Sequence, residues 1–294
     1  MSALSRVCRK GLAQLHSMGR PAATIVVLRA GPGGGIQTLL LRKSQAQRFG
    51  GLWVFPGGAM DAEDAVPAGT RGGMGSFDVL ATAENCAVRE LREETGIMLH
   101  QPLSFISHWV PPADEVKKQG GRGFSTFFFV GALEDSALTG SVHVDGGEIV
   151  DHQFISPAEG IALHAKGELP LLPPTWMTLY SMQDYCSAGA RTPQEVVAAL
   201  AQAPARGFQT RASQTADGCM CFMWQGDAGW ETADPNVPGA RFRLIASPRP
   251  PTDTENAAVP PLPGTALGTA TEAVRLAQMR LDLDIGASRR LEDN

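Results

Sequence analysis

The length and composition of this chain are those of an ordinary globular protein. Its 294 residues are enough to bury a full hydrophobic core, and its 43% hydrophobic and 19% charged content excludes a disordered or fibrous chain. A net charge of −5 gives no reason to expect nucleic acid as a partner, and no apolar run approaches the length that a membrane span requires.

Basic residues are concentrated at the start of the chain. Residues 1–60 contain no Asp or Glu, and residues 1–20 predict a basic N-terminal helix or extension. A transit peptide in that segment is the alternative if the source is eukaryotic, and the protein would then lie in an organellar matrix. The five cysteines form no CxxC pair, which favours reduced thiols and a cytoplasmic location.

Strands dominate the first sixty residues. The β-branched run 23–29 predicts a buried strand, the glycine-rich segment 31–35 a turn, and residues 38–42 the returning strand of a hairpin. Residues 53–55 predict a short third strand that ends at a Pro-Gly-Gly turn. Residues 61–77 are rich in Gly and Ala, and we expect an inserted loop there.

The strongest helix signal lies between Asp78 and Glu94. Asp78 is a suitable N-cap, good helix formers follow it, and Gly96 provides a C-terminal stop. Ser156 and Thr192 begin two further helices, because each is followed by Pro and, two residues later, by Glu. The other predicted elements are strands at about 103–110, 124–132 and 148–155, a helix near 175–185, a hairpin near 218–225 and 240–246, a proline-rich linker over 247–264 and a last helix near 268–283.

This order of elements predicts an α/β (α+β) fold in which helices cover both faces of a central mixed sheet. The main domain should extend over residues 21–246. Residues 247–294 would be a C-terminal addition that consists of the proline-rich linker and the last helix.

Three glutamates of the strongest helix carry the chemistry. Glu90, Glu93 and Glu94 are spaced i, i+3, i+4 and therefore share an arc of roughly 100° on the helix surface. Carboxylates this close repel one another, and a divalent cation between them would relieve the repulsion. Hard cations such as Mg²⁺ or Mn²⁺ prefer such oxygen ligands. The alternative is a solvated acidic helix face, which is the commoner origin of adjacent glutamates.

The context of these glutamates resembles the Nudix hydrolases. The family's box has the form G-x5-E-x7-R-E-U-x-E-E-x-G-U, in which U is aliphatic, and residues 89–97 (Arg-Glu-Leu-Arg-Glu-Glu-Thr-Gly-Ile) match its second half. The first half departs, because about 17 extra residues follow the Phe55-Pro-Gly-Gly58 turn. The position of the box's first glutamate is taken by Ala81, and Glu84 lies one turn further on.

The resemblance implies a Nudix-type α/β/α sandwich and a role for each charged residue of the helix. Glu90 and Glu94 would bind Mg²⁺ or Mn²⁺, and Glu93 would bind the metal too or orient a metal-bound water. Arg89 would hold a glutamate in place through a charge-assisted hydrogen bond.

Two further parts of the site follow from the resemblance. Gly57 and Gly58 would let the backbone approach the metal or the phosphates. Many Nudix enzymes use an additional acid from a distant loop, and the segment Asp145-Gly-Gly-Glu148 offers Glu148 as a candidate base. A glycine-containing turn with incidental charges is an equally good interpretation of that segment.

The subgroup that this chain resembles in detail is that of the peroxisomal-type coenzyme A diphosphatases. The split box, His108-Trp-Val-Pro-Pro112 and Glu168-Leu-Pro-Leu-Leu-Pro-Pro-Thr-Trp176 are similar to that group. Arg42, Lys43 and Arg48 partly match its upstream motif and could contact a phosphate outside the scissile diphosphate, such as the 3′-phosphate of coenzyme A. Their alternative role is that of solvated charges beside an edge strand.

The sequence thus predicts a hydrolase that converts coenzyme A or acyl-coenzyme A to 3′,5′-ADP and a 4′-phosphopantetheine product. An ADP-ribose or NADH pyrophosphatase is the alternative within the same chemistry. A catalytically silent Nudix-like module that binds a nucleotide is the alternative from another class, because Ala81 replaces a glutamate. We expect a small nucleoside diphosphate derivative as the partner, neither nucleic acid nor a membrane, and a homodimer is compatible with the sequence.

Overall fold

Two β-sheets organise the chain in the computed structural model. The structure describes residues 19–47, 49–67, 78–99, 103–118, 123–133, 142, 144, 146–187, 191–248 and 277–284. Most of the predicted N-terminal extension, residues 1–18, lies outside these ranges, and Arg20 already begins the first strand.

Eight strands among the described residues form the central sheet. They are β1 (Arg20–Ala30), β2 (Ile36–Lys43), β3 (Trp53–Val54), β4 (Gly57–Ala59), β5 (Ser104–Val110), β6 (Phe124–Ala132), β7 (Ile149–Ile155) and β8 (Arg206–Gln209). The hydrogen-bonded order is β3-β2-β1-β6-β5-β8, with β4 also paired to β1 and β7 to β2. The β1–β6 and β5–β8 pairs are parallel, whereas pairs such as β1–β2 are antiparallel, so the sheet is mixed as predicted.

Helices cover both faces of this sheet. They are α1 (Val79–Thr95), α2 (Ala113–Lys118), α3 (Pro157–Lys166), α4 (Pro173–Met182) and α5 (Pro193–Gln202). Alternate strand residues point to opposite faces, so Ile25 and Val27 of β1 pack with α1 while Val26 and Leu28 belong to the core on the side of α4 and α5. This arrangement confirms the predicted fold class. None of the described helices is long and apolar enough to cross a membrane.

Local capping groups fix the predicted helix ends. The Asp78 side chain accepts a hydrogen bond of 3.0 Å from the N–H of Ala81, and Gly96 ends α1 in the left-handed conformation with φ of 73°. Ser156 and Thr192 cap α3 and α5 through their hydroxyl oxygens. These predicted caps are confirmed, and Asp78 and Gly96 fix the start and end of the helix that carries Glu90 and Glu94.

A second sheet lies near the C-terminus. Its strands β9 (Arg211–Gln214), β10 (Met220–Met223), β11 (Arg241–Pro248) and β12 (Ala277–Asp284) are antiparallel in the order β12-β11-β10-β9. The predicted hairpin is confirmed, since β10 pairs with β11. The sheet is attached to the central one through aromatic contacts, in which the ring of Phe208 from β8 lies with its centroid 6.2 Å from that of Phe242 in β11.

The predicted last helix is wrong for its described part. Residues 277–284 form β12, which pairs along the edge of β11 and buries Met279. The residue types favour a helix, but apolar and polar residues alternate from Ala277 to Asp284, and pairing with an available strand edge outweighs the helical preference. The predicted linker also begins too early, because Ser247 and Pro248 belong to β11. Residues 249–276 lie outside the described part of the chain.

A buried ion pair holds the second sheet to the loop that follows β10. Arg243 of β11 donates to Asp227 from Nε at 2.7 Å and from Nη2 at 2.5 Å, and the two side chains are 4% and 0% exposed. Asp227 also accepts from the N–H groups of Gly229 and Phe242, both at 2.8 Å. Every carboxylate oxygen is therefore satisfied, which compensates for the cost of burying the charges.

Asp227→Asn leaves Arg243 buried without its counter-charge. We expect the free energy of unfolding to fall by about 3 kcal/mol, because the Arg243 charge stays buried without compensation. Urea denaturation followed by tryptophan fluorescence measures this change. Glu231→Gln, in the same loop but exposed, is the control and should stay close to the wild type. Equal stability of the two variants would contradict a structural role for the pair.

Candidate active site

Glu90 and Glu94 of α1 face the two glycines of the predicted Pro-Gly-Gly turn, which form the first residues of β4. Glu94 is 8% exposed, and its Oε2 accepts a hydrogen bond of 2.9 Å from the N–H of Gly57. Glu90 lies against Gly58, since a Cβ atom added to that glycine would be 2.4 Å from Glu90 Oε2. The helix therefore presents two carboxylates to the turn, and neither is directed into bulk solvent.

Both glycines of the turn are required by close packing. Gly57 has φ of 155°, and a Cβ atom there would lie 2.4 Å from the carbonyl oxygen of Ala23 and 2.4 Å from Thr24 Oγ1. β4 pairs with β1 in this region, with Gly57 opposite Thr24 and Gly58 opposite Ala23. Side chains at these positions would separate β4 from β1 or displace the Glu90 carboxylate.

Arg89 connects the carboxylates to one another. Its Nη1 donates to Glu90 Oε1 at 2.8 Å and to Glu93 Oε2 at 3.0 Å. Its Nε and Nη2 form a bidentate pair with Asp64 at 2.8 and 3.0 Å, and Nη2 also donates to the carbonyl oxygen of Ala59 at 3.1 Å. The predicted hydrogen bond from Arg89 to a glutamate is thus present, and the guanidinium fixes the orientation of Glu90.

Asp64 is the partner that sequence reasoning missed. It lies at the end of a short 3₁₀ turn, Ala62–Asp64, inside the predicted loop 61–77, of which residues 68–77 lie outside the described ranges. Its side chain is buried and accepts a further hydrogen bond of 2.7 Å from the N–H of Asp61. The only local signal is the Asp61-x-x-Asp64 spacing of a capping box, which indicates a turn but not the contact with Arg89.

Burial disfavours the charge on both glutamates. It raises the pKa of Glu94 to about 8, although the Gly57 N–H and the nearby Lys43 act in the opposite direction. Burial also raises the pKa of Glu90, with Arg89 opposing the shift. The fold thus places two carboxylates where ionisation is unfavourable unless a cation joins them.

The donor chemistry of this pair fits Mg²⁺ or Mn²⁺. As the structure places the described residues, no three His, Cys, Asp or Glu side chains converge into a complete ligand set. Glu90 and Glu94 each keep one carboxylate oxygen that takes no hydrogen bond from a described residue. Two carboxylates are enough for Mg²⁺, which usually retains several waters and completes its coordination with substrate phosphate.

A cavity of about 930 Å³ opens beside the glutamates. Gly57, Gly58 and Glu90 line it, together with Lys43 and Glu148, which form an ion pair of 3.0 Å. Much of the remaining wall is apolar, including Phe55, Trp109, Phe128, Leu172 and Pro173. A carboxylate site at the wall of a large, largely apolar cavity is suited to a substrate with one reacting anionic group and a longer organic part.

The other predicted site residues are placed differently. The side chain of Glu93 is 49% exposed and contacts Arg89. Arg42 is exposed on β2 and is not one of the residues that line the cavity, whereas its neighbour Lys43 is. Arg48 lies outside the described residues. The catalytic and binding roles assigned to these residues stay predictions.

Comparison with known proteins defines the class. The NUDIX domain matches residues 18–173, and the chain therefore belongs to the Nudix domain family. This membership supports a pyrophosphohydrolase, and Nudix hydrolases generally use divalent metal ions, usually Mg²⁺ or Mn²⁺.

Several solved structures are similar to part of this chain at low sequence identity. A NUDIX hydrolase from Alicyclobacillus acidocaldarius is 22% identical over 56% of this chain and 91% of its own, with a TM-score of 0.45. The NUDIX domain of Shewanella oneidensis NrtR, complexed with ADP ribose, is 13% identical over 57% and 89%, with a TM-score of 0.40. An Ap4A hydrolase from C. elegans is 17% identical over 56% and 96%, with a TM-score of 0.36.

Asp64→Asn tests whether the missed aspartate positions the glutamates. The substitution removes the charge that holds Arg89, so Glu90 loses its fixed orientation. We expect the affinity for Mn²⁺, measured by electron paramagnetic resonance of the free ion, to fall about 10-fold to 100-fold, as is usual for partners of metal ligands. The matched control is Glu63→Gln, an exposed acid of the same turn, and wild-type affinity in both variants would show that Asp64 has no such role.

Proposed function

We propose that this protein is a metal-dependent hydrolase that cleaves the diphosphate linkage of a nucleoside diphosphate derivative, with coenzyme A or acyl-coenzyme A as the first candidate substrate. The observation that carries the proposal is the packing of Glu90 and Glu94 against the Gly57-Gly58 turn at the wall of the cavity. A small molecule that enters this cavity, and neither nucleic acid nor a membrane, is the proposed partner.

Each residue has a distinct task in the proposed reaction. Glu90 and Glu94 hold Mg²⁺ or Mn²⁺, which when bound neutralises phosphate charge and makes a coordinated water more acidic. Arg89 keeps the Glu90 carboxylate in one orientation. Gly57 and Gly58 line the cavity as backbone without side chains, and the diphosphate would lie against them.

Glu148 is the proposed base, which takes the proton of the attacking water on a carboxylate oxygen. It lines the cavity, and half of its side chain is accessible to solvent. Lys43 holds its Oε1 at 3.0 Å and thereby limits the positions that the carboxylate can adopt. Glu93 is a weaker candidate for this role, because its carboxylate is turned toward Arg89 and is not part of the cavity wall.

Coenzyme A suits the cavity because the molecule joins a diphosphate to a long, weakly polar arm. The apolar wall that includes Trp109, Phe128 and Leu172 can accommodate such an arm or an attached acyl chain. ADP-ribose and NADH are the second candidates, since they carry the same scissile linkage. A silent nucleotide-binding module is disfavoured, because binding alone gives no reason to bury Glu94 with an ionisation cost.

Glu94→Gln keeps the shape of the side chain and removes its negative charge. We expect turnover to fall by more than about 100-fold while the thermal unfolding temperature stays at least as high as in the wild type, because Glu94 is buried and costly to ionise. Product release is measured by chromatography with Mg²⁺ or Mn²⁺ present. Glu159→Gln, an exposed glutamate of α3, is the control. Unchanged turnover in Glu94→Gln would remove this mechanism.

A substrate panel separates the candidate functions. Coenzyme A, acetyl-coenzyme A, ADP-ribose and NADH are each incubated with the wild type and with the metal or a chelator. Formation of 3′,5′-ADP from coenzyme A only in the presence of metal is the expected result. Cleavage of ADP-ribose with coenzyme A untouched would show that the subgroup is wrong, and no cleavage of any member would favour the silent module.

A further inference from the structure

The second sheet forms one wall of the cavity that contains Glu90. From β9 and β10 it contributes Arg211, Ala212, Ser213, Gln214, Met220 and Phe222. All of these residues lie beyond residue 173, where the match to the NUDIX domain ends. Whatever occupies the cavity next to the carboxylates therefore also meets a surface that the matched domain does not supply.

Arg211 is the charged residue of this wall. Its side chain is half-buried, and its Nε is shielded from solvent without a hydrogen-bond partner among the described residues. No described carboxylate forms an ion pair with it, in contrast to Lys43, which is paired with Glu148. A shielded N–H donor without an acceptor is unfavourable, so the site favours a ligand that brings an acceptor.

The guanidinium of Arg211 is held in place by its surroundings. Its central carbon lies 5.5 Å from the centroid of the Trp230 ring, and the Nε1 of that indole donates 2.7 Å to the carbonyl oxygen of Gln209. The backbone of Arg211 pairs with Met223 in β10. A guanidinium restrained in this way loses little freedom when it binds an anion.

We propose that Arg211 is a specificity-determining residue that binds a phosphate of the substrate outside the scissile diphosphate. This inference rests on the proposed function, because it assigns to Arg211 a contact with a second phosphate group of the same substrate. The guanidinium fork matches two phosphate oxygens, and Arg211 would gain the anionic partner that no described carboxylate supplies. In coenzyme A the matching group is the 3′-phosphate, which ADP-ribose does not carry.

Arg211 suits this role better than the basic residues upstream. Arg42 is exposed away from the cavity lining, and Lys43 is already bound to Glu148. Arg20 also lines the cavity, but its side chain is exposed, so its charge is better solvated and an anion gains less by binding to it.

The kinetic test compares coenzyme A with dephospho-coenzyme A, which differs only in the absence of the 3′-phosphate. We expect the wild type to have the higher kcat/KM for coenzyme A. Arg211→Gln should lower the ratio of kcat/KM for coenzyme A to that for dephospho-coenzyme A by at least about tenfold, mainly through a higher KM for coenzyme A. Arg211→Lys keeps the charge without the fork and should retain part of the preference. Arg241→Gln, in the same sheet but outside the cavity wall, should keep the wild-type ratio.

A binding measurement tests the same residue without turnover. Calorimetric titration with adenosine 3′,5′-bisphosphate and with AMP gives two dissociation constants. The ratio of the AMP value to the bisphosphate value measures the contribution of the 3′-phosphate to binding, and Arg211→Gln should reduce this ratio at least about tenfold. A wild-type ratio in folded Arg211→Gln, in either experiment, overturns the inference and leaves the diphosphate hydrolase intact. Absence of turnover on every substrate contradicts the proposed function instead, and the titration then still decides the role of Arg211.

Discussion

The contact between the buried Glu94 carboxylate and the N–H of Gly57 is the constraint on which the site depends. It joins the last turn of α1 to the first residue of β4, and β4 pairs with β1 of the central sheet. A carboxylate that is 8% exposed has little water to stabilise its charge. One backbone donor does not compensate for that loss, so the carboxyl holds its proton unless a cation compensates for the charge. The family's use of divalent metals is consistent with this requirement.

The remaining acids are arranged around a single guanidinium. Arg89 contacts Asp64, Glu90 and Glu93 at once, so the orientation of Glu90 depends on an aspartate from a turn 25 residues away in the sequence. The first glutamate of the Nudix box corresponds to Ala81 in this chain, and Ala81 is buried in the first turn of α1. Asp64 supplies a buried carboxylate near the same cluster, but both of its oxygens accept hydrogen bonds from Arg89.

Elements that depend on residues close together in the sequence were predicted correctly. The caps Asp78 and Gly96, the hairpin of β10 and β11, and the succession of strands around a mixed sheet all follow from short-range residue preferences. Residues 89–97, which match the second half of the Nudix box, predicted the family and the side of α1 that forms the site. Asp64 and Arg211 were not predicted, because their significance comes from contacts between segments that are distant in sequence. β12 was not predicted, because the residue types of 277–284 favour a helix and the strand depends on pairing with β11.

The central claim is that Glu90 and Glu94 together bind a divalent cation beside the glycine turn. Anomalous diffraction from crystals of the wild-type protein grown with Mn²⁺ tests it directly. We expect a peak within about 2.2 Å of an oxygen from each carboxylate, on the side of Gly57. A peak bound elsewhere on the protein, with these two carboxylates still engaged only by Gly57 and Arg89, would contradict it.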